Sequence, residues 1–331
     1  MATLKDIAQR AGVTATTVSR VINNRGYISE GTRKKVYAAM EEMHYQPNEL
    51  ARAFSKQYTN TIGLIVPHIS HPFFIKVISN LESSAAEKGF KLLLCNSKEQ
   101  PEKEQDYLDM CISNRVAGIV LCSKYVQTRE FRKMNIPVVN LERGGDDDTI
   151  SVQCDNYQGG KLAAEHLIEC GCKNLLHFGG VAGKDMPADR RADGFSDVCK
   201  KAGIPYRILV SDRLQYGSMH YEDFIRRALQ EFPDVDGIFA SSDLIASQVI
   251  QVGAQMGKRV PEDIQLIGFD DVMISTVTTP QITTIHQPVE EMTELCVEYI
   301  AKRLKNESVP QKIVLPVRLV QRGTTVLKTE I

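Results

Sequence analysis

The sequence predicts a small all-α head followed by an α/β body of two doubly wound lobes. Apolar residues recur at helical spacing through the first sixty positions, as in Leu4, Ile7 and Ala8. Beyond residue 60, short apolar runs alternate with helical stretches, the pattern of parallel sheets covered by helices on both faces. That body of roughly 270 residues is long for one such sheet, so two similar lobes are expected.

In the head, Thr3 precedes a first helix and Asp6 follows three residues on, as in a capping box with Asp for the usual Glu. Gly12 supplies the left-handed turn. Thr14 caps a second helix whose inward side is Val18, Val21 and Ile22. Its outward side, as read here, is Ala15, Thr16, Ser19, Arg20 and Asn23: small or polar side chains and one arginine, suited to groove edges and phosphates. Ser29 caps a third helix with Val36, Ala39, Met40 and Met43 inward. This is a helix-turn-helix, and it points to double-stranded DNA. Residues 1–60 hold nine Lys and Arg against five Asp and Glu, a surplus of four positive charges, while the whole chain of 331 residues is at −1. A basic end on an acidic body fits a DNA-binding head on a regulatory core. The bland alternative is a structural three-helix unit, which neither the polar face nor the charge asymmetry favours.

Pro47 stops the third helix, and Asn48 can cap a short one from Glu49 to about Lys56. So short a helix is marginal alone and forms when something packs on it. The body then gives strands beginning at Ile62, Lys91, Ala117, Pro137 and Ser151, and a second series at Asn174, Tyr206, Gly237 and Gln265. Ile75–Lys88, Gly159–Cys170, Arg191–Ala202 and Ser242–Met256 read as helices. Ile282–Pro288 reads as a crossing back to the first lobe, and Leu315–Val320 as one late returning strand.

Ligands of doubly wound sheets bind beyond the carboxyl ends of the strands. Those ends read Pro67-His68, Asn96-Ser97, Cys122-Ser123, Asp155-Asn156, Gly179-Gly180, Ser241-Ser242-Asp243 and Asp270-Asp271, mostly compact and polar. Carboxylates and hydroxyls converging on a cleft suit a hydroxyl-rich ligand, with Phe73 and Phe74 as an apolar wall. Several other signals are discounted. Gly179-Gly-Val-Ala-Gly-Lys184-Asp185 is one residue short of a phosphate loop and has Asp where Ser or Thr must hold magnesium. His68-x-x-His71 lacks a third metal ligand and reads as a loop pair. The eight cysteines are scattered, mostly in apolar runs, as in reduced cytosolic proteins. Asp146–Asp148 reads as a solvated loop. No nucleophile–base motif is visible, so neither an enzyme nor a cofactor nor a metal is expected. With no signal peptide or membrane-spanning run, the expected location is cytoplasmic, with no membrane contact.

Three blocks occur in order at fixed spacing: Thr14 through Asn23; Ser29-x-x-Thr32-Arg33-x-x-Val36; and Tyr45-x-Pro47-Asn48-x-x-Ala51-Arg52. Together they resemble the lac repressor family of transcription regulators, and the resemblance runs through nearly the whole chain. It implies a head at 1–47, a hinge helix and linker at 48–60, and a core at 61–331 of periplasmic-binding-protein architecture. Lobe one would hold about 61–158 and 288–316, and lobe two about 159–287 and 317–331. The DNA-contacting set carried over is Thr3, Thr14, Ala15, Thr16, Thr17, Ser19, Arg20, Asn23, Ser29, Thr32 and Arg33 in the head, with Asn48, Ala51, Arg52 and Phe54 in the hinge. Phe54 stands where Leu is common and would wedge into the minor groove to kink the duplex, the alternative being a linker packed on the core. For the effector the resemblance implies Arg191, opening Arg-x-x-Gly-Phe, and Asp270, in Gly268-Phe-Asp-Asp. Ser242 stands where an asparagine is known in the family, and Tyr216 lies near an aromatic wall position.

The function implied is a repressor of a carbohydrate-utilisation operon. It acts as a homodimer on a palindromic operator and is controlled by a sugar or sugar phosphate between the lobes. Residues 95–110 resemble the sucrose- and ribose-operon members and the catabolite control branch without choosing among them. In the catabolite control reading, a phosphorylated carrier protein governs DNA binding. A remoter alternative is a sugar-acting enzyme with a DNA-binding head. No heptad pattern follows Arg322-Gly-Thr-Thr, so a helical tetramerisation segment is not expected.

Overall fold

The chain divides into two units, residues 1–59 and 60–331. The computed structural model describes residues 2–23, 25–45, 58–123, 125, 136–144, 149–181 and 186–328. The hinge positions Asn48, Ala51, Arg52 and Phe54 lie outside these, as do Lys184, Asp185 and Asp146–Asp148.

The head is three helices: α1 (Leu4–Ala11), α2 (Ala15–Ile22) and α3 (Glu30–Glu42). Thr3 and Asp6 form a reciprocal capping box on α1, and Gly12 closes it at φ 65°, a left-handed conformation that glycine adopts without strain. Thr14 and Ser29 cap α2 and α3 through their hydroxyls. Ile7, Ala8, Ala11, Val18, Val21, Val36 and Ala39 form its core.

The second unit holds two six-stranded sheets. Sheet A contains β1 (Thr61–Val66), β2 (Lys91–Asn96), β3 (Gly118–Leu121), β4 (Val138–Leu141), β5 (Ile150–Cys154) and β11 (Lys312–Leu315). Its order is β11-β5-β4-β3-β1-β2, with every pairing parallel. Helices α4 (Pro72–Glu87) and α12 (Val289–Leu304) cover one face, while α5 (Pro101–Ser113) buries Leu108 and Cys111 on the other. Sheet B contains β6 (Leu175–Val181), β7 (Tyr206–Ser211), β8 (Gly237–Ala240), β9 (Gln265–Asp270), β10 (Thr283–His286) and β12 (Arg318–Val320). Its order is β12-β10-β9-β8-β6-β7, with only β12 antiparallel among these. Helices α6 (Asn156–Glu169) and α7 (Arg190–Ala202) pack on one face; α9 (Glu222–Glu231) and α10 (Asp243–Gln255) pack on the other. Two short helices, α8 (Arg213–Ser218) and α11 (Ile274–Val277), sit in connections. Burial on both faces explains why the strands read as continuous apolar runs.

Two readings of the sequence need correction. Ile282–Pro288 is not simply a crossing: Thr283–His286 form β10 of sheet B, and the chain leaves that lobe only at Gln287-Pro288. Leu315–Val320 is not one strand. Leu315 ends β11 in sheet A, Pro316-Val317 cross over, and Arg318–Val320 pair antiparallel with β10 in sheet B. Proline cannot donate to a ladder, so Pro316 is where the run must break. The remaining crossing is at Asp155, between β5 and α6.

Helices α6 and α7 meet backbone to backbone. A Cβ on Gly160 would stand 2.0 Å from the Arg191 carbonyl oxygen, and one on Gly194 2.0 Å from that of Tyr157. This contact fixes where Arg191 sits. Gly160→Ala is expected to cost about 2–3 kcal/mol by forcing the helices apart, read as a lower urea midpoint at unchanged slope.

Candidate functional site

Both sheets reverse strand order once, between β1 and β3 in sheet A and between β6 and β8 in sheet B. Such reversals leave a crevice beyond the carboxyl ends of the strands. From lobe one these ends deliver Pro67, His68, Cys122 and Ser123; from lobe two they deliver Ser241 and Ser242. The lobes touch there. The His68 and Tyr216 rings meet edge-on at 5.4 Å, and Lys76 Nζ donates to the Asp271 carbonyl at 3.3 Å.

Arg191 is the most constrained charge in this crevice. It is 7 % exposed, in the first turn of α7. Its Nε donates to Asn156 Oδ1 at 2.7 Å, and its Nη1 to the Ser241 carbonyl at 2.6 Å. Its guanidinium lies 3.5 Å over the centre of the Phe269 ring. Asn156 in turn donates to Glu142 Oε2 at 3.0 Å, so a neutral amide bridges the arginine to a carboxylate. Nη2 has no hydrogen-bond partner among the described residues.

Asp270 ends β9 at φ 109°, outside the regions a side-chain-bearing residue favours; strain of this kind clusters at functional sites. Its Oδ1 accepts from Gln287 Nε2 at 2.6 Å. Burial pushes its carboxyl up to about 7, against the pull of the nearby Arg191 charge. The Gln287 Oε1 is buried without a protein partner, as are His68 Nε2 and the Ser123 hydroxyl. Leaving such atoms unpaired costs about 1–3 kcal/mol each, so a polar occupant is expected.

His71 belongs to the loop it shares with His68, its amide donating to the His68 carbonyl at 3.4 Å, and it is also the N-cap of α4. Its Nδ1 accepts from the Phe73 amide at 3.3 Å, which places the proton on Nε2. Burial, reinforced by the His68 and Arg191 charges, lowers its pKa to about 4, so the ring is neutral near pH 7. Phe73 and Phe74 follow it, buried and edge-on to each other at 5.1 Å. With His71, the residues missed as partners are Asn156, seen only as a polar strand-end position, and Gln287, seen only within the Ile282–Pro288 crossing.

Other expectations shift. The Ser242 hydroxyl accepts from the Ile245 amide at 3.3 Å, as the N-cap of α10. Asp243 does not line the crevice: it is fully buried, accepting from the Thr284 hydroxyl (2.6 Å) and the Val272 amide (2.9 Å). Burial holds its carboxyl well above the usual range. Asp271 turns to His286 (2.8 Å) and Arg322 (2.6 Å). Burial opposes its ionisation, but these two partners hold its pKa below the ordinary value.

On the head, Thr16 and Arg20 are exposed on α2, with Thr17 and Ser19 half-buried beside them. Asn23 Nδ2 donates to the Ser19 carbonyl at 2.8 Å. Thr14 and Thr17 share a 2.9 Å hydroxyl contact, as do Ser29 and Thr32. Thr3, Thr14 and Ser29 are exposed caps, and Arg33 is half-buried. Ala15 departs from its expected outward placement and packs partly against the head core. It shares a face with Val18 and Ile22 at i, i+3 and i+7.

Among the described residues no helix is long and apolar enough to cross a membrane. Residues 3–48 match the model for bacterial regulatory proteins of the lacI family, and residues 164–325 that for a periplasmic binding protein-like domain. A ribose operon repressor from Halalkalibacterium halodurans is 33% identical over 326 residues, covering 98% of this chain and 97% of that protein. A sucrose operon repressor from Pediococcus pentosaceus is 35% identical over 329 residues, covering 97% and 98%. Among solved structures, a periplasmic binding protein/LacI transcriptional regulator from Alkaliphilus metalliredigens, complexed with D-xylulofuranose, is 32% identical with a TM-score of 0.72. It covers 81% of this chain and 100% of its own. With relatives of this identity aligned end to end, the chain belongs to the lacI family of bacterial regulatory proteins.

Proposed function

We propose that this chain is a DNA-binding repressor of a carbohydrate-utilisation operon, acting as a homodimer on a palindromic operator under the control of a sugar bound between the two core lobes. The observation that carries the reading is the pairing, in one chain, of a helix-turn-helix with a crevice where Arg191, Asp270 and Gln287 each keep an atom open. The relatives named as ribose and sucrose operon repressors support it. One recognition helix reads one half-site, so a palindrome calls for two copies. Thr16 and Arg20 are the exposed side chains of α2 available to base edges and phosphates.

Control follows from differential affinity. A sugar that contacts both lobes favours one of their relative orientations, and a shift of a few kcal/mol suffices to change operator occupancy. The test is fluorescence anisotropy with a duplex selected by the chain from random sequence, titrated with sugars. Operator affinity is expected to change at least tenfold on saturation, and Arg20→Ala to abolish binding of the selected duplex. Affinity that responds only to an added phosphorylated carrier protein, with every sugar silent, would replace sugar control by carrier control.

A further inference from the structure

We infer that the crevice takes an uncharged, polyhydroxylated ligand and rejects its phosphorylated counterpart, because the open hydrogen-bonding groups mix acceptors with donors while the cations beside them are already engaged. This rests on the proposal of sugar control and chooses between the two ligand classes it leaves open.

The open groups are of both kinds, beside the His68 Nε2 and Ser123 hydroxyl already named. Asp270 Oδ2 and Gln287 Oε1 are acceptors; Arg191 Nη2 and His71 Nε2 are donors. A sugar hydroxyl donates and accepts at once, so neighbouring hydroxyls satisfy such a set. A phosphate dianion only accepts. Drawn to Arg191, its oxygens would meet Gln287 Oε1 and, above about pH 7 where Asp270 is ionised, Asp270 Oδ2, acceptor against acceptor.

Charge points the same way. Glu142 and Arg191 both act on Asp270, and Glu99 and Asp270 both act on Tyr216 at the crevice wall. Arg191 is already engaged on two neutral acceptors and a ring, and Lys76 is held by the Asp271 carbonyl, so neither stands free to pair with a phosphate. His71 adds no positive charge, since burial keeps it neutral.

Helix N-termini are the usual phosphate cradles. Of the helices that begin at this crevice, three have an N-terminal amide taken by a side chain, while α7, whose first turn carries Arg191, has no side-chain cap. His71 accepts from Phe73 N on α4, Asp155 from Gln158 N on α6, and Ser242 from Ile245 N on α10.

Isothermal titration of the full chain tests this with ribose and ribose 5-phosphate, fructose and fructose 6-phosphate, and sucrose and sucrose 6-phosphate. At least one uncharged sugar is expected to bind, with its phosphate ester at least 100-fold weaker. A phosphate ester binding as tightly as its parent, or tighter, overturns the inference and leaves sugar control standing. Silence from all six overturns both. Asp270→Asn, checked for folding by its thermal melt, is expected to weaken the uncharged sugar and to narrow the gap to its ester at least tenfold. Gln287→Ala is the second variant and is expected to narrow the gap in the same direction. A folded pair of variants with the gap unchanged removes the acceptor argument and the inference with it.

Discussion

Replacing Arg191 by alanine is expected to lower the stability of the core by about 3–5 kcal/mol and to abolish any effector-induced rise in melting temperature. The stability loss has three sources. The substitution removes a side chain stacked 3.5 Å over Phe269. It strands the buried Asn156 Oδ1 and Ser241 carbonyl without their donor. It also leaves Asp270 without the positive charge that offsets part of its burial; breaking a buried ionic arrangement by removing one member costs about 3–5 kcal/mol. Loss of binding alone would not identify the role, since a misfolded crevice also fails to bind. Arg191→Lys separates the two. Lysine keeps the charge and one donor but cannot span Asn156 and the Ser241 carbonyl together. It should melt closer to the parent chain while still losing most effector affinity. Equal loss of stability and of binding in both variants would make Arg191 a structural group only. Urea unfolding gives the first quantity and ligand-dependent thermal shift the second.

The same arginine shows what a sequence can and cannot disclose. Its position is legible because Arg-x-x-Gly-Phe carries the family resemblance, and the strands around it because apolar runs of four to six residues are bounded by Gly, Pro and polar clusters. The observed β2, β7, β8 and β9 begin at the expected residues Lys91, Tyr206, Gly237 and Gln265. Partnership is what pattern does not encode. Nothing adjacent to Asn156 says that its amide will join Arg191 to Glu142, because those three meet only after the chain has crossed between lobes at Asp155. His71 reads as half of a loop pair because no third ligand stands beside His68-x-x-His71; its role as a cap depends on an amide, Phe73 N, that is unpaired only once α4 exists. Leu315–Val320 misleads for a different reason. Six residues of alternating character are compatible with one strand or with two, and only the sheet each half joins decides. Ala15, by contrast, was recoverable: its spacing from Val18 and Ile22 already places it on the inward side of α2.

Asp270 carries the other large expected effect. A carboxyl whose pKa rises from 3.8 unfolded to about 7 folded disfavours its own ionisation in the empty crevice. The folded state therefore binds more protons than the unfolded state between those values, so stability falls as pH rises from about 4 to 7 and is flat above. The penalty at pH 8 is on the order of 4 kcal/mol. Burial is its main cause, with Glu142 adding to it while Arg191, Lys76 and the Gln287 amide offset part of it; Asp243 and Tyr216 are also coupled to Asp270 electrostatically. Asp270→Asn removes the charge and keeps the shape, so the empty core should become more stable by about 2–3 kcal/mol at pH 8 and show little change at pH 4. A sugar hydroxyl donating to the carboxylate favours the ionised form, so binding should release a proton and the affinity of the parent chain should drop about fivefold from pH 7 to pH 6. In Asp270→Asn that slope should vanish while affinity at pH 8 falls at least 100-fold. Titration in two buffers of different ionisation enthalpy counts the proton directly. A pH slope that survives in Asp270→Asn would move the titrating group elsewhere, to His68, and would make Asp270 a strained structural residue of the β9 turn.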